Sequence, residues 1–255
     1  MDESIFRLDN QIAVITGGGQ GLGEAIARLF ARHGACVVVC GRTYEKVTQV
    51  AEGIRREGGE ALAAQVDVSQ PASVDALHAT VRRELGRPVT ILVNNAGIIK
   101  VEPFMEIGWE SWQSILTTNL SGAFYCSQVF ARDMMEAWRG SIIMHSSING
   151  LSAEPSCAHY NASKAGMILL AKSMALELAP YHIRVNAIAT GQIATPLTLQ
   201  AANMEITRDL AEKIPLKRWG DPAEIAQVAL FLAAEASSYC TGAVLVSDGG
   251  LLARY

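Results

Sequence analysis

The sequence predicts an α/β fold: one doubly wound, seven-stranded parallel sheet flanked by helices on both faces. Three observations carry this expectation. Short apolar runs alternate with helical patterns from end to end, as repeated βαβ units require. The runs are rich in Val, Ile and Ala with little in–out alternation, which suits strands covered on both faces. The chain has 255 residues, 50% hydrophobic and 18% charged, enough to bury a sizeable core within a single α/β domain. No Pro/Ser-rich linker, repeat or low-complexity stretch divides it, so residues 1–255 read as one domain.

Gln11–Thr16 is the first strand. After a glycine turn, a helix over Gly21–His33 repeats Leu22, Ala25, Ile26, Leu29 and Phe30 at i, i+3, i+4 spacing. Ala35–Cys40 is the second strand, and a polar-faced helix over Tyr44–Glu57 ends at Gly58-Gly59. Ala61–Val66 reads as the third strand, and Ser69, Pro71 and Asp75 as the capped start of a helix running to Leu85. Val89–Val93 is the fourth strand. A long helical region, Trp109–Ala137, leads through Gly140 to a fifth, Ser141–His145. The helix Cys157–Ala179 stops at Pro180, before the sixth strand, Arg184–Ala189. Thr195–Ile214 is a looser helical stretch, Pro222–Ala234 a firm helix begun by proline, and Ala243–Val246 the last strand.

Composition excludes several classes. With 21 basic against 25 acidic residues the net charge is −4, and no Lys/Arg run offers a nucleic-acid footprint. The strongest apolar stretches, Ala35–Cys40 and Thr90–Val93, are strand-length, well short of the ~20 residues of a membrane span. The acidic start MDESIFRLDN lacks the apolar core of a signal peptide. Cys36, Cys40, Cys126, Cys157 and Cys240 are odd in number and scattered. On a strand, Cys36 and Cys40 would stand about 13 Å apart, too far to bridge. Reduced thiols and a cytoplasmic protein are expected, and no metal is called for.

The turn Thr16-Gly17-Gly18-Gly19-Gln20-Gly21-Leu22-Gly23 follows the first strand and opens the first helix. Glycines there let the backbone approach a pyrophosphate whose charge rests on the helix N-terminus. The spacing Gly17-x₃-Gly21-x-Gly23 departs from G-x-G-x-x-G, and a glycine turn with no ligand is the competing explanation. The strand–turn–helix context favours a dinucleotide. An acid ending the second strand would bind the ribose 2′-OH of NAD, but this chain has Gly41-Arg42, with Glu45 the first acid. A guanidinium there suits a 2′-phosphate, so NADP(H) is the preferred cofactor and NAD(H) a possible one. Alternatively Arg42 stacks on the adenine or stays solvated.

Tyr160 and Lys164 stand four apart on a helical pattern and so share a face. Ketone reduction needs a proton donor at the oxygen, and alcohol oxidation needs the same group as base. Free tyrosine titrates near pH ~10, so work at neutral pH calls for a shift worth about 4 kcal/mol, in the direction a nearby ammonium supplies. Alone, Y-x₃-K is a weak signal. Ser147, thirteen residues upstream, lies at the C-terminal end of the fifth strand, where open α/β sheets place ligands. Asn119 sits inside the long helix, unfavourable there unless its side chain has a task.

With these residues assembled, the chain resembles the short-chain dehydrogenase/reductase family over essentially its whole length. TGGGQGLG matches that family's TGxxxGxG, Asn94-Asn95-Ala96-Gly97 its NNAG, and Asn119, Ser147, Tyr160 and Lys164 its catalytic tetrad. The resemblance implies a Rossmann fold and hydride transfer between a nicotinamide and a carbonyl or secondary alcohol. Tyr160 would be general acid/base, and Lys164 would lower its pKa and bind the nicotinamide ribose. Ser147, preferred over Ser146 by the family's spacing, would bind the substrate oxygen. Asn119 would disturb its helix and hold a water in a proton relay. Gly17, Gly19, Gln20, Gly21, Leu22, Gly23, Arg42, Asp67, Val68, Asn94, Ala96, Gly97, Gly191, Ile193 and Thr195 would form the cofactor site with Tyr160 and Lys164. Asp67 would hold the adenine, and Asn94 would brace the central strand.

One departure is Thr190, where the family commonly has proline before Gly191. It is expected to loosen that turn, so that Thr190→Pro would raise thermal stability. Ile98–Val101, Ile148–Glu154 and the 196–214 lid would shape the substrate pocket through Ile99, Leu151, Leu197, Leu199, Met204 and Ile206, residues equally suited to plain packing. The C-terminal region resembles sugar-acid dehydrogenases and also 3-oxoacyl-carrier-protein reductases. A sugar acid would want cations, and Lys100 and Arg208 are the nearest. A homotetramer is implied by family resemblance; a non-catalytic, cofactor-binding relative is the alternative in kind.

Overall fold

In the computed structural model of the chain, which describes residues 3–196, 198 and 210–254, the apolar runs pair as one seven-stranded sheet. The strands are β1 (Ile12–Thr16), β2 (Cys36–Gly41), β3 (Glu60–Gln65), β4 (Ile91–Asn94), β5 (Gly140–Ser147), β6 (Ile183–Thr190) and β7 (Val244–Ser247). Their order is β3-β2-β1-β4-β5-β6-β7, and every pairing is parallel. The helices bounded within the described residues are α1 (Gly21–Arg32), α2 (Tyr44–Arg56), α3 (Pro71–Leu85), α4 (Trp109–Leu116), α5 (Gly122–Ala137), α6 (Ala158–Leu178) and α7 (Pro222–Ala233). Strand ends differ from expectation by a residue or two. The differences at β5 and β6 matter most: both continue further, so that Ser147 and Thr190 are paired strand residues rather than loop.

Alternation along each strand divides the apolar core in two. Val14, Val38, Leu92 and Met144 face α3, α5 and α6, packing with Leu77, Phe130 and Met167. Ala13, Ile15, Val37, Val93 and Ile143 face α1, α2 and α7, packing with Ile26, Phe30, Val50 and Leu230. Successive side chains of a strand point to opposite faces, so β1, buried at all five positions, feeds both halves. That is why its sequence reads as a continuous apolar run.

Local signals set the helix ends. Asp221 caps α7, accepting from the Ala223 amide, while Glu224 reaches back to the Asp221 amide in a reciprocal capping box. The expected cap of α3 is not made this way. Gln70 occupies the cap without a side-chain bond and Pro71 starts the helix, while Ser69 binds Asp67 and Asp75 binds the Tyr125 hydroxyl. The long helix Trp109–Ala137 is continuous but carries one π-turn, Thr117–Ser121, joining α4 to α5. Asn119 lies inside it.

All five cysteines are free and four are buried. No described helix is long and apolar enough to cross a membrane. After β3 the chain crosses to the far side of β1 and forms β4, so the connections above β1 and β4 diverge. A crevice opens at their carboxyl ends, the position at which open α/β sheets bind ligands.

Candidate active site

The crevice is a cleft of about 430 Å³, within the size range of small-molecule sites. At one end lies the glycine turn. Gly17 has φ +67°, and a Cβ at Gly23 would stand 2.3 Å from the Gly17 carbonyl oxygen, so neither position tolerates a side chain. Gln20, the residue capping α1, makes no side-chain capping bond; its Oε1 instead accepts from Lys46 Nζ at 2.6 Å. The first-turn amides of α1 therefore face the cleft without a side-chain acceptor, an arrangement suited to a phosphate. Arg42, exposed at the end of β2, lines the same end, as does Lys46. Lys46 was missed from sequence although it stands one helical turn beyond Arg42.

Asp67 and Val68 line the adjoining wall. The Asp67 carboxylate accepts from the Ser69 amide and hydroxyl at 3.0 and 2.7 Å, which fixes its orientation. Gly17, Gly19, Gln20, Gly21, Leu22, Gly23, Ala96, Gly97, Gly191, Ile193 and Thr195 line the cleft as well. Asn94 does not. Its amide points through the sheet to Ser127 Oγ, at 2.9 Å, and Met144 Sδ, consistent with bracing the strand but set apart from any ligand. Its neighbour Asn95 takes the lining place instead, donating to the carbonyls of Thr16 and Gly17 at 2.9 and 3.2 Å.

At the other end Ser147, Tyr160 and Lys164 meet. Tyr160 and Lys164 share the inner face of α6, with Lys164 Nζ 5.6 Å from the Tyr160 ring centre. Lys164 Nζ donates to the His145 carbonyl at 2.7 Å. Burial pulls its ammonium down to about 8, since a desolvated cation is disfavoured. Burial likewise pushes the Tyr160 phenol up to about 12, against the opposing hydrogen bond from Ser147. Burial thus favours the neutral phenol, opposite in sign to the lowering expected from a neighbouring ammonium. Of the paired serines, Ser146 donates to the Lys164 carbonyl at 2.8 Å, while Ser147 is the one in contact with Tyr160. The longer β5 carries Ser147 there.

Asn119 explains its own π-turn. Its Oδ1 accepts from the Ile98 amide at 2.8 Å, and its Nδ2 donates to the Ile98 carbonyl and to Ser163 Oγ. One side chain thus pairs with backbone that no strand satisfies. Asn119 Oδ1 and Lys164 Nζ both border the small space over Gly97, 3.3 and 3.7 Å from where a Cβ would lie.

Thr190 is not loose. Its side chain is buried, its hydroxyl lies 3.3 Å from His145 Nε2, and the following Gly191 amide donates to the Ser247 carbonyl. Lys100 is turned out of the cleft onto Ser111 Oγ, at 3.2 Å. Leu197, Leu199, Met204, Ile206 and Arg208, with most of the 196–214 lid, lie outside the described residues.

Comparison with known proteins fits this geometry. The family described as Enoyl-(Acyl carrier protein) reductase matches residues 17–252. A 3-oxoacyl-[acyl-carrier-protein] reductase of Chlamydia pneumoniae is 39% identical over 239 residues, covering 93% of this chain and 95% of that one. A short-chain type dehydrogenase/reductase from Mycobacterium marinum superposes with a TM-score of 0.93 at 38% identity, covering 97% and 98% of the two chains. A gluconate 5-dehydrogenase from Burkholderia cenocepacia J2315, solved in complex with NADP and tartrate, gives a TM-score of 0.93 at 35% identity and 98% coverage of both. The chain belongs to the short-chain dehydrogenase/reductase family and is an NAD(P)-dependent oxidoreductase.

Proposed function

We propose that the protein transfers a hydride between NADP(H) and a carbonyl or secondary alcohol. The observation that carries this is the meeting of Ser147, Tyr160 and Lys164 at one end of a cleft whose other end is a glycine turn beneath Arg42 and Lys46. The cofactor, when bound, supplies or accepts the hydride. Gly17–Gly23 and the start of α1 would hold its pyrophosphate, Arg42 and Lys46 would hold a 2′-phosphate, and Asp67 and Val68 would flank its adenine.

The remaining steps belong to side chains. Ser147 donates to the substrate oxygen. Tyr160 delivers its proton to that oxygen in reduction and takes it in oxidation. Lys164, a cation within reach of the phenolate, stabilises the ionised form, and Asn119 holds the water through which the proton is replaced.

The likeness to a gluconate 5-dehydrogenase favours a sugar-acid substrate as a second reading. Against it, Glu154 lines the substrate end and Lys100 points away from it. Ile98, Ile99 and Ile148, which line the same cleft, fit the carbon chain of a ketone or acyl thioester equally well. Free thiols support a cytoplasmic setting, and we infer a homotetramer from family resemblance.

Two variants test the proposal. Tyr160→Phe should lose about 10²- to 10⁴-fold in turnover, the usual worth of general acid/base catalysis, while cofactor Kd stays within a few-fold. A turnover near wild type removes Tyr160 from the mechanism. Arg42→Ala should weaken NADPH by about 10- to 100-fold, the worth of a charge-assisted hydrogen bond, and leave NADH unchanged. Equal or better use of NADH by the wild-type enzyme overturns the cofactor preference. Screening ketones, sugar acids and acyl thioesters for NADPH oxidation identifies the substrate.

A further inference from the structure

Along the cleft wall runs a chain of hydrogen bonds in which, among the described residues, the side chains of Asn95, His145 and Thr190 engage one another and the backbone around the glycine turn. The Asn95 amide nitrogen donates to the Thr16 and Gly17 carbonyls, so its Oδ1 is the atom facing His145 Nδ1, 2.8 Å away. An amide oxygen only accepts. His145 therefore carries its proton on Nδ1, and Nε2 presents a lone pair to the Thr190 hydroxyl at 3.3 Å. Thr190 must donate, which leaves its oxygen an acceptor towards the cleft. A neutral imidazole is what burial enforces: the ring is pushed down to about 3, chiefly by desolvation and further by the neighbouring Lys164 ammonium. The backbone of the same residue holds Lys164 through its carbonyl.

We propose that His145 is a positioning residue for the cofactor, locking the phosphate-binding turn after β1 to the turn after β6 through Asn95 and Thr190. This rests on the reading of the cleft as a nicotinamide dinucleotide site. The two turns belong to strands separated by β4 and β5, and no direct bond between their strands sets their spacing. The polar chain through β4 and β5 sets it before any ligand arrives. Binding to a site already ordered avoids the cost of ordering it. Thr190 stands where proline would have no hydroxyl, and a strand residue without ring nitrogens at 145 could not receive one. The two residues are therefore a matched pair.

The test is a double-mutant cycle on the full-length enzyme, read by cofactor titration rather than activity. Thr190→Val keeps shape and β propensity while removing the donor; His145→Leu removes both ring nitrogens. Each single variant should raise the Kd of the cofactor by about tenfold, within the span of one stranded buried polar group. The double variant should be no weaker than His145→Leu alone, since both sides of the His145–Thr190 bond are then absent and Asn95 Oδ1 is stranded equally in the two. At saturating cofactor, kcat should change far less than Kd. In wild type, the ¹⁵N spectrum of His145 should report a protonated Nδ1 and a bare Nε2. If Kd is unchanged in Thr190→Val, or the two losses simply add, His145 only fills space and the proposal fails. If His145→Leu does not fold, Thr190→Val and the ¹⁵N tautomer decide the matter alone. Wild-type enzyme that binds neither NADPH nor NADH overturns the reading of the cleft itself, a separate outcome from variants that bind as wild type does.

Discussion

Burial of Lys164 in the site works against its charged form. In the unfolded chain its ammonium titrates near 10.5 and in the folded chain at about 8. Between those values the folded state binds fewer protons, so stability from this residue is absent below pH 8 and grows as pH rises towards 10.5. Tyr160 has the opposite sign. Its phenol stays neutral in the fold up to about 12 while the unfolded phenol ionises near 10, so its contribution is lost across that higher window. Urea unfolding of wild type and Lys164→Met separates the two effects. The difference should move in favour of wild type by about 2–3 kcal/mol from pH 7 to 10. A difference constant with pH would mean that Lys164 is not desolvated in the folded protein. Residue-level legibility followed the same physics. Tyr160, Lys164, Ser147 and Arg42 are read from short spacings, and each lines the cleft. Asn95, named only within the NNAG match, was given no role and His145 was not singled out, because their partners are fifty and forty-five residues away and a lone histidine in an apolar strand carries no local signal.

At the scale of elements, periodicity located every strand and helix of the described sheet, and missed by one or two residues at the ends. Those ends are where side-chain bonds compete with propensity. Asn119 shows this within a helix: its amide satisfies the Ile98 backbone, and the helix accommodates it by one wide turn. The end of β6 corrects the sequence reading most sharply. Proline at 190 was expected to tighten a slack turn; the observed turn is already held by the Thr190 hydroxyl and the ladder to β5 and β7. Thr190→Pro strands His145 Nε2, so it should lower stability by about 1–3 kcal/mol, the cost of a buried polar group without a partner. Thermal unfolding checks the sign, and a higher Tm would restore the original expectation.

For the whole molecule, the low charge fraction has two destinations. Most apolar side chains fill the halves of the core on either side of the sheet. Others stay outside: Leu169 and Leu176 on α6 are 66% and 80% exposed, and Phe124 on α5 is 45% exposed. No pattern within one chain distinguishes a helix face buried by a subunit from one left in water, so the tetramer is an expectation from resemblance alone. Light scattering should give about four times the 27.3 kDa chain mass, and Leu169→Lys should reduce it. A mass of one chain would refute the tetramer.

The strand order also constrains how the chain can be made. β1, wholly buried, pairs on one side with β2 and on the other with β4, whose residues lie nearly eighty positions later. A nascent chain on the ribosome can assemble β3-β2-β1 early, but the inner edge of β1 stays open until Ile91–Asn94 emerges. An open apolar edge invites pairing with other chains. The strand at the centre of the finished cleft is thus the most vulnerable during synthesis, and its protection depends on the timely arrival of the short strand that carries Asn94 and leads into Asn95.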